Sequence, residues 1–484
     1  MDKNKEFLKN TLILFIGKFA TQFMSLLLLP LYTHFLIADD FGTVDLLQTY
    51  ISLFVPIFTL RIDSALFRFL LESRDNKEEQ KKIISNAVFI LFLSIIFTIL
   101  FCIIISLVFK IKYFIFVVLN IIVLMISSIM LHILRGFGDN KKYSFVSILT
   151  GFFTLLFNII LIVFLKYNAS SILISSFLAN LICTIYICIN LNVFKYFSVQ
   201  KINKDSVKKI MNYSLPMIPN SLSWWIVNVS DRTIISTFLG VGINAIYTVS
   251  CKFSNILNSI FSIISMSWQE SASLHIDDDD KDFFFSTTIN NIFIVFATIS
   301  IIIVSTLPFV YNSVIGEQYL ESYKYIPILL YSNSWNVLIG LIGGIYVAKK
   351  ETKKIANTTL LSAILNIFIN LILIKFIGLY AACISTLLSY FIMSIYRYID
   401  CKKYVNLKLN FKQILIYTIV YIFSSYIYLN GNFILYIVNF FIVVLYSFYI
   451  NRFVINLFCK GFILKIKKLQ GSYLSEINDK NNKI

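Results

Sequence analysis

Residues 414–451 read ILIYTIVYIFSSYIYLNGNFILYIVNFFIVVLYSFYIN and contain no charged side chain over 38 positions. A helix that crosses the hydrocarbon core of a membrane needs about 20 apolar residues, so this stretch is long enough for two crossings. The polar sequence Asn430-Gly431-Asn432 lies near its middle and is typical of a turn. The stretch therefore predicts two membrane-spanning helices joined by a short connection.

Similar apolar runs recur along the whole chain. Hydrophobic residues make up 58% of the 484 positions and charged residues 14%, whereas soluble domains carry about 25% charged residues. Eight further uncharged runs lie at residues 83–109, 113–134, 143–165, 167–194, 283–315, 325–348, 355–374 and 376–396. Four less uniform runs lie at about 10–35, 43–66, 213–239 and 243–266. The sequence thus predicts an all-α polytopic membrane protein with about 14 transmembrane helices, called spans 1 to 14 below.

The basic residues are divided unequally between the two predicted sides of the membrane. Of the 42 Lys and Arg residues, 33 lie in segments on the side of the N-terminus, 5 in loops on the opposite side and 4 within spans. Basic loops are typically cytoplasmic. We therefore expect both termini in the cytoplasm. The net charge of +17 is explained as loop charge, and no nucleic-acid partner is expected.

The residues that carry most enzyme chemistry form no recognisable site in this sequence. The seven cysteines include no Cys-x-x-Cys pair, and His34, His132 and His275 are far apart without an HExxH motif. The loops on the predicted outer side are too short to hold a catalytic domain. We therefore expect a protein that is not an enzyme and that has no cofactor or metal.

An internal repeat relates the two halves of the chain. A shift of 212 residues places span 5 on span 11 with 10 identities in 32 positions, among them Asn158 on Asn370. Two similar apolar helices that follow similar basic loops would explain part of this match. Parallel six-helix repeats are an architecture of secondary transporters. The repeat predicts a six-helix lobe at residues 1–200, a second at 201–400, and two extra helices with a basic tail at 401–484.

Ionisable residues occur within the first two spans of each half. They are Lys18, Arg61, Asp63, Asp231, Arg232 and Lys252. Such residues are costly in a membrane and usually face a cavity or a partner. Four cations against two anions predict a net positive path between the halves, which favours anions such as a pyrophosphate over lipophilic cations.

Less specific interpretations remain open for some of these residues. Arg61 and Asp63 are also consistent with a position at the membrane interface. Asp231 and Lys252 lie equally far from the turn near Val241, so they are also consistent with a structural ion pair between spans 7 and 8. Lys18 lies too deep in span 1 for its ammonium group to reach water easily, which favours a functional role.

Several motifs place the chain near a known group of transporters. They are Pro30-Leu31-Tyr32 with Asp40-Phe41-Gly42, Leu215-Pro216-Met217-Ile218-Pro219 with Trp224-Trp225 and Asp231-Arg232, Ile315-Gly316-Glu317-Gln318-Tyr319 with Ile326-Pro327-Ile328-Leu329, and Asn370-Leu371-Ile372-Leu373-Ile374 with Gly378-Leu379-Tyr380-Ala381-Ala382. With these motifs the chain resembles the Wzx-type oligosaccharide flippases of the polysaccharide transporter branch of the MATE-like MOP superfamily.

This resemblance implies a V-shaped, two-lobed transporter in a bacterial inner membrane. It would move undecaprenyl-pyrophosphate-linked oligosaccharide, as in O-antigen, lipopolysaccharide or capsule assembly, from the cytoplasmic to the outer leaflet by alternating access. The cavity would be lined by spans 1, 2, 7 and 8, with Lys18, Arg61, Arg232 and Lys252 as substrate-binding residues. Membrane lipids, a polysaccharide polymerase and a chain-length regulator are candidate partners.

The driving force is expected to be an ion gradient, because the sequence contains no nucleotide-binding motif. Asp63 and Asp231 are the candidates for coupling to H⁺ or Na⁺, because we expect them to be the only deep carboxylates in the spans.

Three competing functions are weighed against a flippase for linked oligosaccharides. A MATE-type multidrug or cation antiporter shares the fold but would favour twelve spans and a carboxylate-dominated cavity. A flippase for lipid II-type precursors differs only in substrate. A membrane polysaccharide polymerase would be an enzyme and typically needs a large extracytoplasmic loop, which the predicted topology lacks.

Overall fold

The structure is a computed structural model that describes residues 3–73, 76–452 and 456. The described residues form sixteen α-helices and no strand. The helices are α1 (Lys3–Phe35), α2 (Ala38–Phe58), α3 (Ile62–Glu72), α4 (Lys77–Val108), α5 (Phe114–Gly136), α6 (Asn140–Ile159), α7 (Ser170–Leu191), α8 (Lys204–Ser214), α9 (Ile218–Phe238), α10 (Val241–His275), α11 (Lys281–Val314), α12 (Ile326–Ala348), α13 (Thr352–Ile377), α14 (Tyr380–Cys401), α15 (Phe411–Asn430) and α16 (Phe433–Ile450). The 3-10 segment Glu317–Tyr325 precedes α12.

Each of the fourteen predicted spans contains a long helix. Eleven helical segments among the described residues are long and apolar enough to cross a membrane. The long helices outside that group are α1, α9 and α10, in which Lys18, Asp231, Arg232 and Lys252 interrupt the apolar sequence. The prediction of a multi-pass, all-α membrane protein is confirmed. Most of the predicted basic tail lies outside the described residues.

Two local features differ from the pattern of one helix per span. The amphipathic helix α8 lies in the connection between the halves, and span 2 consists of α2 and α3. Leu60 and Arg61 separate α2 from α3 and have left-handed φ angles of 51° and 55°. This conformation costs about 1–2 kcal/mol for a residue with a Cβ, so the surrounding packing must hold the break in place. Phe58 and Ile62 are buried on either side of it.

The two halves pack their helices in the same order. In the first lobe α1 contacts α6, α2 contacts α5, and α5 contacts α7. In the second lobe the equivalent pairs are α9 with α13, α10 with α12, and α12 with α14. Helices α15 and α16 pack on α11. This correspondence agrees with two parallel six-helix repeats and two additional helices, while the lobe boundaries at residues 200 and 400 stay a prediction.

The lobes meet where α1 and α2 approach α9 and α10. A Cβ atom at Gly42 would lie 1.8 Å from the carbonyl oxygen of Val241, so α2 and α10 touch through backbone at this point. Nearby, the hydroxyl of Tyr319 donates a hydrogen bond of 2.8 Å to the carbonyl oxygen of Leu36. We call this end of the bundle, formed by the α1–α2 turn, the α9–α10 turn and the segment Glu317–Tyr325, the closed end.

Substitution of Gly42 by Ala is expected to separate the lobes at the closed end, because the added methyl group has no space beside the Val241 carbonyl. Overpacking of this kind typically costs about 1–3 kcal/mol. Labelling of a Thr33→Cys reporter, which is buried at the same end of the bundle against Gly316, by a membrane-impermeant maleimide should increase several-fold.

Gly151→Ala is the matched control for this substitution. There the new Cβ would lie 2.8 Å from Sδ of Met24, the end of a flexible side chain that can move aside. Reporter labelling should therefore stay as in the wild type. Equal labelling in both variants would show that Gly42 does not hold the lobes together.

Candidate functional site

The first two membrane helices of each lobe meet at the boundary between the lobes, where α2 contacts α9 and α10, and α1 contacts α10. At about 1.5 Å per residue, Asp45 lies about 10 Å from the closed end, Lys252 about 17 Å and Lys18 about 26 Å. Charged residues thus occur at several depths along the boundary between the lobes. Their contacts show which charges are neutralised and which are available to a ligand.

A buried ion pair joins the lobes near the closed end. Nε of Arg232 lies 3.4 Å from Oδ2 of Asp45, and its Nη1 donates to the hydroxyl of Thr49 at 3.2 Å. The same carboxylate accepts hydrogen bonds from Thr248 at 2.7 Å and from Asn244 at 3.4 Å. Asp45 is 7% exposed and the Arg232 side chain 22%, so the carboxylate is buried and the guanidinium partly so. Arg232 therefore reaches from α9 to α2.

Asp45 was not predicted from the sequence as a site residue, although it lies within predicted span 2. Asp63 and Asp231 are therefore not the only deep carboxylates. A signal was available, because Asp45 and Arg232 lie at similar distances from the turns at the closed end. Opposite charges at equal depth on helices that face each other are the pattern of an ion pair.

Two lysines bridge α1 and α10 without a carboxylate partner among the described residues. The ammonium group of Lys18 on α1 donates to the hydroxyl of Ser262 on α10 at 2.8 Å. In the opposite direction, Lys252 on α10 donates to Ser25 on α1 at 3.4 Å. Lys252 also lines a cleft of about 290 Å³ between α1, α2 and α6. Both lysines bond neutral hydroxyls, so their positive charges are available to an anion.

Asp231 points away from this cleft, into the second lobe. Its carboxylate accepts hydrogen bonds from Asn370 at 2.7 Å, Tyr247 at 3.0 Å and Thr386 at 3.1 Å. The equal depth of Asp231 and Lys252 suggested an ion pair between them, and that prediction is wrong. Successive helical residues point about 100° apart, so Arg232 faces the other lobe while Asp231 faces α13 and α14.

The break between α2 and α3 forms one wall of a second cleft, of about 410 Å³. Nε of Arg61 lies 3.6 Å from Oδ1 of Asp63, and Nε2 of His132 lies 3.7 Å from Oδ2. Asp63 is 5% exposed and Arg61 retains 28% of its side-chain exposure, so the carboxylate is largely covered by protein. Trp225 of α9 lines the same cleft.

Arg397 is a buried cation, although the predicted span 376–396 ends just before it and the sequence therefore placed it in a cytoplasmic loop. It is 3% exposed and lies in the last turns of α14. Its guanidinium donates to the hydroxyl of Thr358 at 2.7 Å and to the carbonyl oxygen of Ile339 at 3.0 Å. These bonds connect α12, α13 and α14, so Arg397 holds the second lobe together and does not face the cleft.

Comparison with known proteins agrees with this architecture. The profile of the family described as "Polysaccharide biosynthesis protein" matches residues 7–268. No curated protein sequence matches the chain.

Solved structures with the same fold include multidrug resistance transporters of the MATE family. An inward-facing MATE transporter of the MOP superfamily superposes with a TM-score of 0.65 at 12% identity, covering 81% of this chain and 93% of that one. An outward-facing MATE structure has a TM-score of 0.57 at 12% identity, with coverage of 82% and 95%. A MATE structure in the bent conformation has a TM-score of 0.53 at 14% identity, with coverage of 83% and 95%. The predicted MOP fold is thereby confirmed.

The contacts predict different behaviour for two pairs of charged residues. In a double-mutant cycle with Asp45→Asn and Arg232→Gln, the two changes should couple by about 1–3 kcal/mol, because each alone leaves a buried charge unpaired. In the cycle with Asp231→Asn and Lys252→Gln, the changes should add to within about 0.5 kcal/mol, because the two residues share no bond.

Unfolding of the purified protein in detergent micelles measures both cycles. The second cycle is the control for the general effect of removing charge from these helices. Coupling of similar size in both would contradict the assignment of Arg232 to Asp45.

Proposed function

The chain belongs to the family of polysaccharide biosynthesis proteins, and from this premise we propose that it is a flippase for undecaprenyl-pyrophosphate-linked oligosaccharide. The substrate would pass from the cytoplasmic to the outer leaflet of a bacterial inner membrane. Family and fold are those of membrane transporters rather than of enzymes. The observation that carries the proposal is the pair Lys18 and Lys252, which offer positive charge where α1 and α10 of the two lobes meet.

The chemistry of the headgroup explains why two such lysines are useful. A pyrophosphate with several sugars cannot cross about 30 Å of hydrocarbon unaided, because its charges and hydroxyls would lose their hydration. Lys18 and Lys252 would replace water at the phosphate oxygens, as ammonium groups do in charge-assisted hydrogen bonds. The hydroxyls of Ser25 and Ser262, which now accept from the lysines, would be released to the substrate. The polyprenyl chain would remain in lipid beside the lobes.

Because the lobes touch at the closed end, substrate would enter from the other end of the helix bundle. The distribution of basic residues predicts that the closed end faces outward, so the cleft in this conformation would open toward the cytoplasm. Alternating access would then require the Gly42 contact and the Asp45–Arg232 pair to separate while the cytoplasmic ends approach each other. The same sequence pattern supports cytoplasmic termini.

Asp231 is the better supported of the two predicted coupling residues. Its hydrogen-bond partners in the described structure are the neutral groups of Asn370, Tyr247 and Thr386. A buried carboxylate without a cation is costly, so protonation or a bound metal cation would stabilise it. The side-chain oxygens of Asn366 and Asn370 are buried without hydrogen-bond partners. Amide oxygens of this kind are suitable ligands for Na⁺. We propose that Asp231 couples transport to H⁺ or Na⁺.

Substitution of either cleft lysine tests the proposed transport. In proteoliposomes, Lys18→Gln and Lys252→Gln should each slow the translocation of fluorescent undecaprenyl-pyrophosphate-linked oligosaccharide about tenfold or more, since one buried charge-assisted contact is worth about 1.5–3 kcal/mol. Lys110→Gln is the matched control, because Lys110 is exposed in the α4–α5 connection and should have no effect.

Three results would count against this function. Equal rates in all three variants would show that the lysines do not bind substrate. Transport of a lipophilic cation by the wild type, without transport of the linked oligosaccharide, would instead identify a multidrug antiporter. Transport of lipid II in preference to the oligosaccharide would assign the precursor flippase.

A separate measurement tests whether Asp231 couples transport to an ion gradient. Wild-type translocation should accelerate several-fold under an imposed Na⁺ or H⁺ gradient, and Asp231→Asn should remove this acceleration because the amide takes up no proton and supplies no negative charge to hold Na⁺. Asp63→Asn should keep the ratio of rates with and without the gradient, even if both rates change. A gradient response that survives in Asp231→Asn would exclude this carboxylate as the coupling site.

A further inference from the structure

One wall of the cleft at the α2–α3 break is a rigid aromatic surface. The indole N–H of Trp225 on α9 donates a hydrogen bond of 3.0 Å to the carbonyl oxygen of Thr49 on α2. The ring of Tyr50 stacks beside it, with 6.3 Å between the centroids and 28° between the planes. Trp225 is therefore fixed from the other lobe in one orientation while it lines the cleft. A fixed aromatic ring provides a large apolar surface at a low entropic cost.

A second part of the lining, formed by Arg61 and Asp63, is polar and includes atoms without a hydrogen-bond partner. Nε of Arg61 and Oδ1 of Asp63 face each other at 3.6 Å, and both atoms are buried without a hydrogen-bond partner. Asp63 is more than nine-tenths buried, and Arg61 retains 28% of its side-chain exposure. Ser128 and Ser221 add hydroxyl groups to the same lining. This part of the lining can therefore donate further hydrogen bonds through the exposed part of Arg61, and a shift of that side chain would open the Asp63 carboxylate to a ligand.

The charges of Arg61 and Asp63 distinguish this cleft from the cleft that Lys252 lines. Asp63 would repel a pyrophosphate, and Arg61 would repel a cation, so the pair favours neither ion as a ligand. A neutral molecule with both donors and acceptors suits the pair better. His132 and, beyond it, Arg135 are further titratable groups near the pair, and Nδ1 of His132 donates a hydrogen bond of 2.8 Å to the carbonyl oxygen of Ser128. That bond leaves Nε2 facing Asp63.

Size and polarity together indicate the class of ligand. Pockets for small molecules span about 300–1,000 Å³, so a cleft of about 410 Å³ is sufficient for a small sugar unit. A pyranose ring has an apolar C–H face and a rim of hydroxyls that donate and accept. These two surfaces match Trp225 on one side and the Arg61–Asp63 pair on the other.

We propose that this cleft is a glycan subsite in which a sugar ring of the substrate stacks on Trp225 and bonds Arg61 and Asp63 through its hydroxyls. The proposal rests on the proposed flippase function and names the part of the site that selects the glycan. Asp63 is then a sugar ligand rather than a coupling carboxylate. The break in span 2 serves this subsite, because it places Arg61 at the turn and Asp63 in the first turn of α3.

The test compares the binding of two fluorescent probes to the full-length protein in nanodiscs. One is undecaprenyl pyrophosphate that carries a disaccharide from the producing strain, and the other is undecaprenyl pyrophosphate without sugar. We expect the wild type to bind the glycosylated probe at least tenfold more tightly. Trp225→Ala and Asp63→Asn should abolish that difference and change the affinity for the sugar-free probe less than twofold. Trp225→Phe keeps an aromatic ring and should retain most of the difference in affinity between the two probes.

Lys252→Gln is the matched control, because it should weaken both probes by the same factor. Equal loss of both probes in Trp225→Ala, with Trp225→Phe normal, would overturn the glycan subsite and make Trp225 a structural contact between the lobes. An unchanged preference for the glycosylated probe in Trp225→Ala would overturn it as well. If the wild type binds neither probe, the flippase function itself fails, which is a different outcome from loss of glycan selection alone.

Discussion

The close approach of α2 and α10 at Gly42 determines how the two lobes meet. Helices in a membrane gain little from hydrophobic burial against each other, since lipid is as apolar as their side chains. Small residues and interhelical hydrogen bonds must therefore bring them together. Here Gly42 allows backbone contact, and Asp45, one turn further along α2, accepts bonds from Asn244 and Thr248 of α10. The position of the cleft and of its charges follows from this contact.

The charged residues between the lobes divide into separate roles because their surroundings differ. Arg232 is neutralised by Asp45 and connects the lobes. Lys18 and Lys252 bond neutral serines and keep their charge available. Arg61 and Asp63 form a loose pair of zero net charge beside an aromatic ring. A single cationic cavity, as the sequence suggested, is thus better described as two clefts with different electrostatic character.

The sequence was sufficient to predict the helices and their parallel repeat because both depend on hydropathy and chain length. Depth along a span was also accessible, since it follows from the helical rise. Orientation around the helix axis was not, and this explains the wrong pairing of Asp231 with Lys252. Their equal depth was correct, but Asp231 faces Asn370 and Thr386. The break at Leu60 and Arg61 was missed for a related reason, because no glycine marks the left-handed residues.

Asp231 and Arg232 are consecutive residues of one helix, and each belongs to a different network. The first is bonded to α13 and α14 within its own lobe, and the second is bonded to α2 of the other. A rotation of α9 about its axis cannot alter one set of bonds without altering the other. Communication between the interior of a lobe and the junction of the lobes therefore needs no extended relay of side chains, because the torsional stiffness of a single helical turn is sufficient.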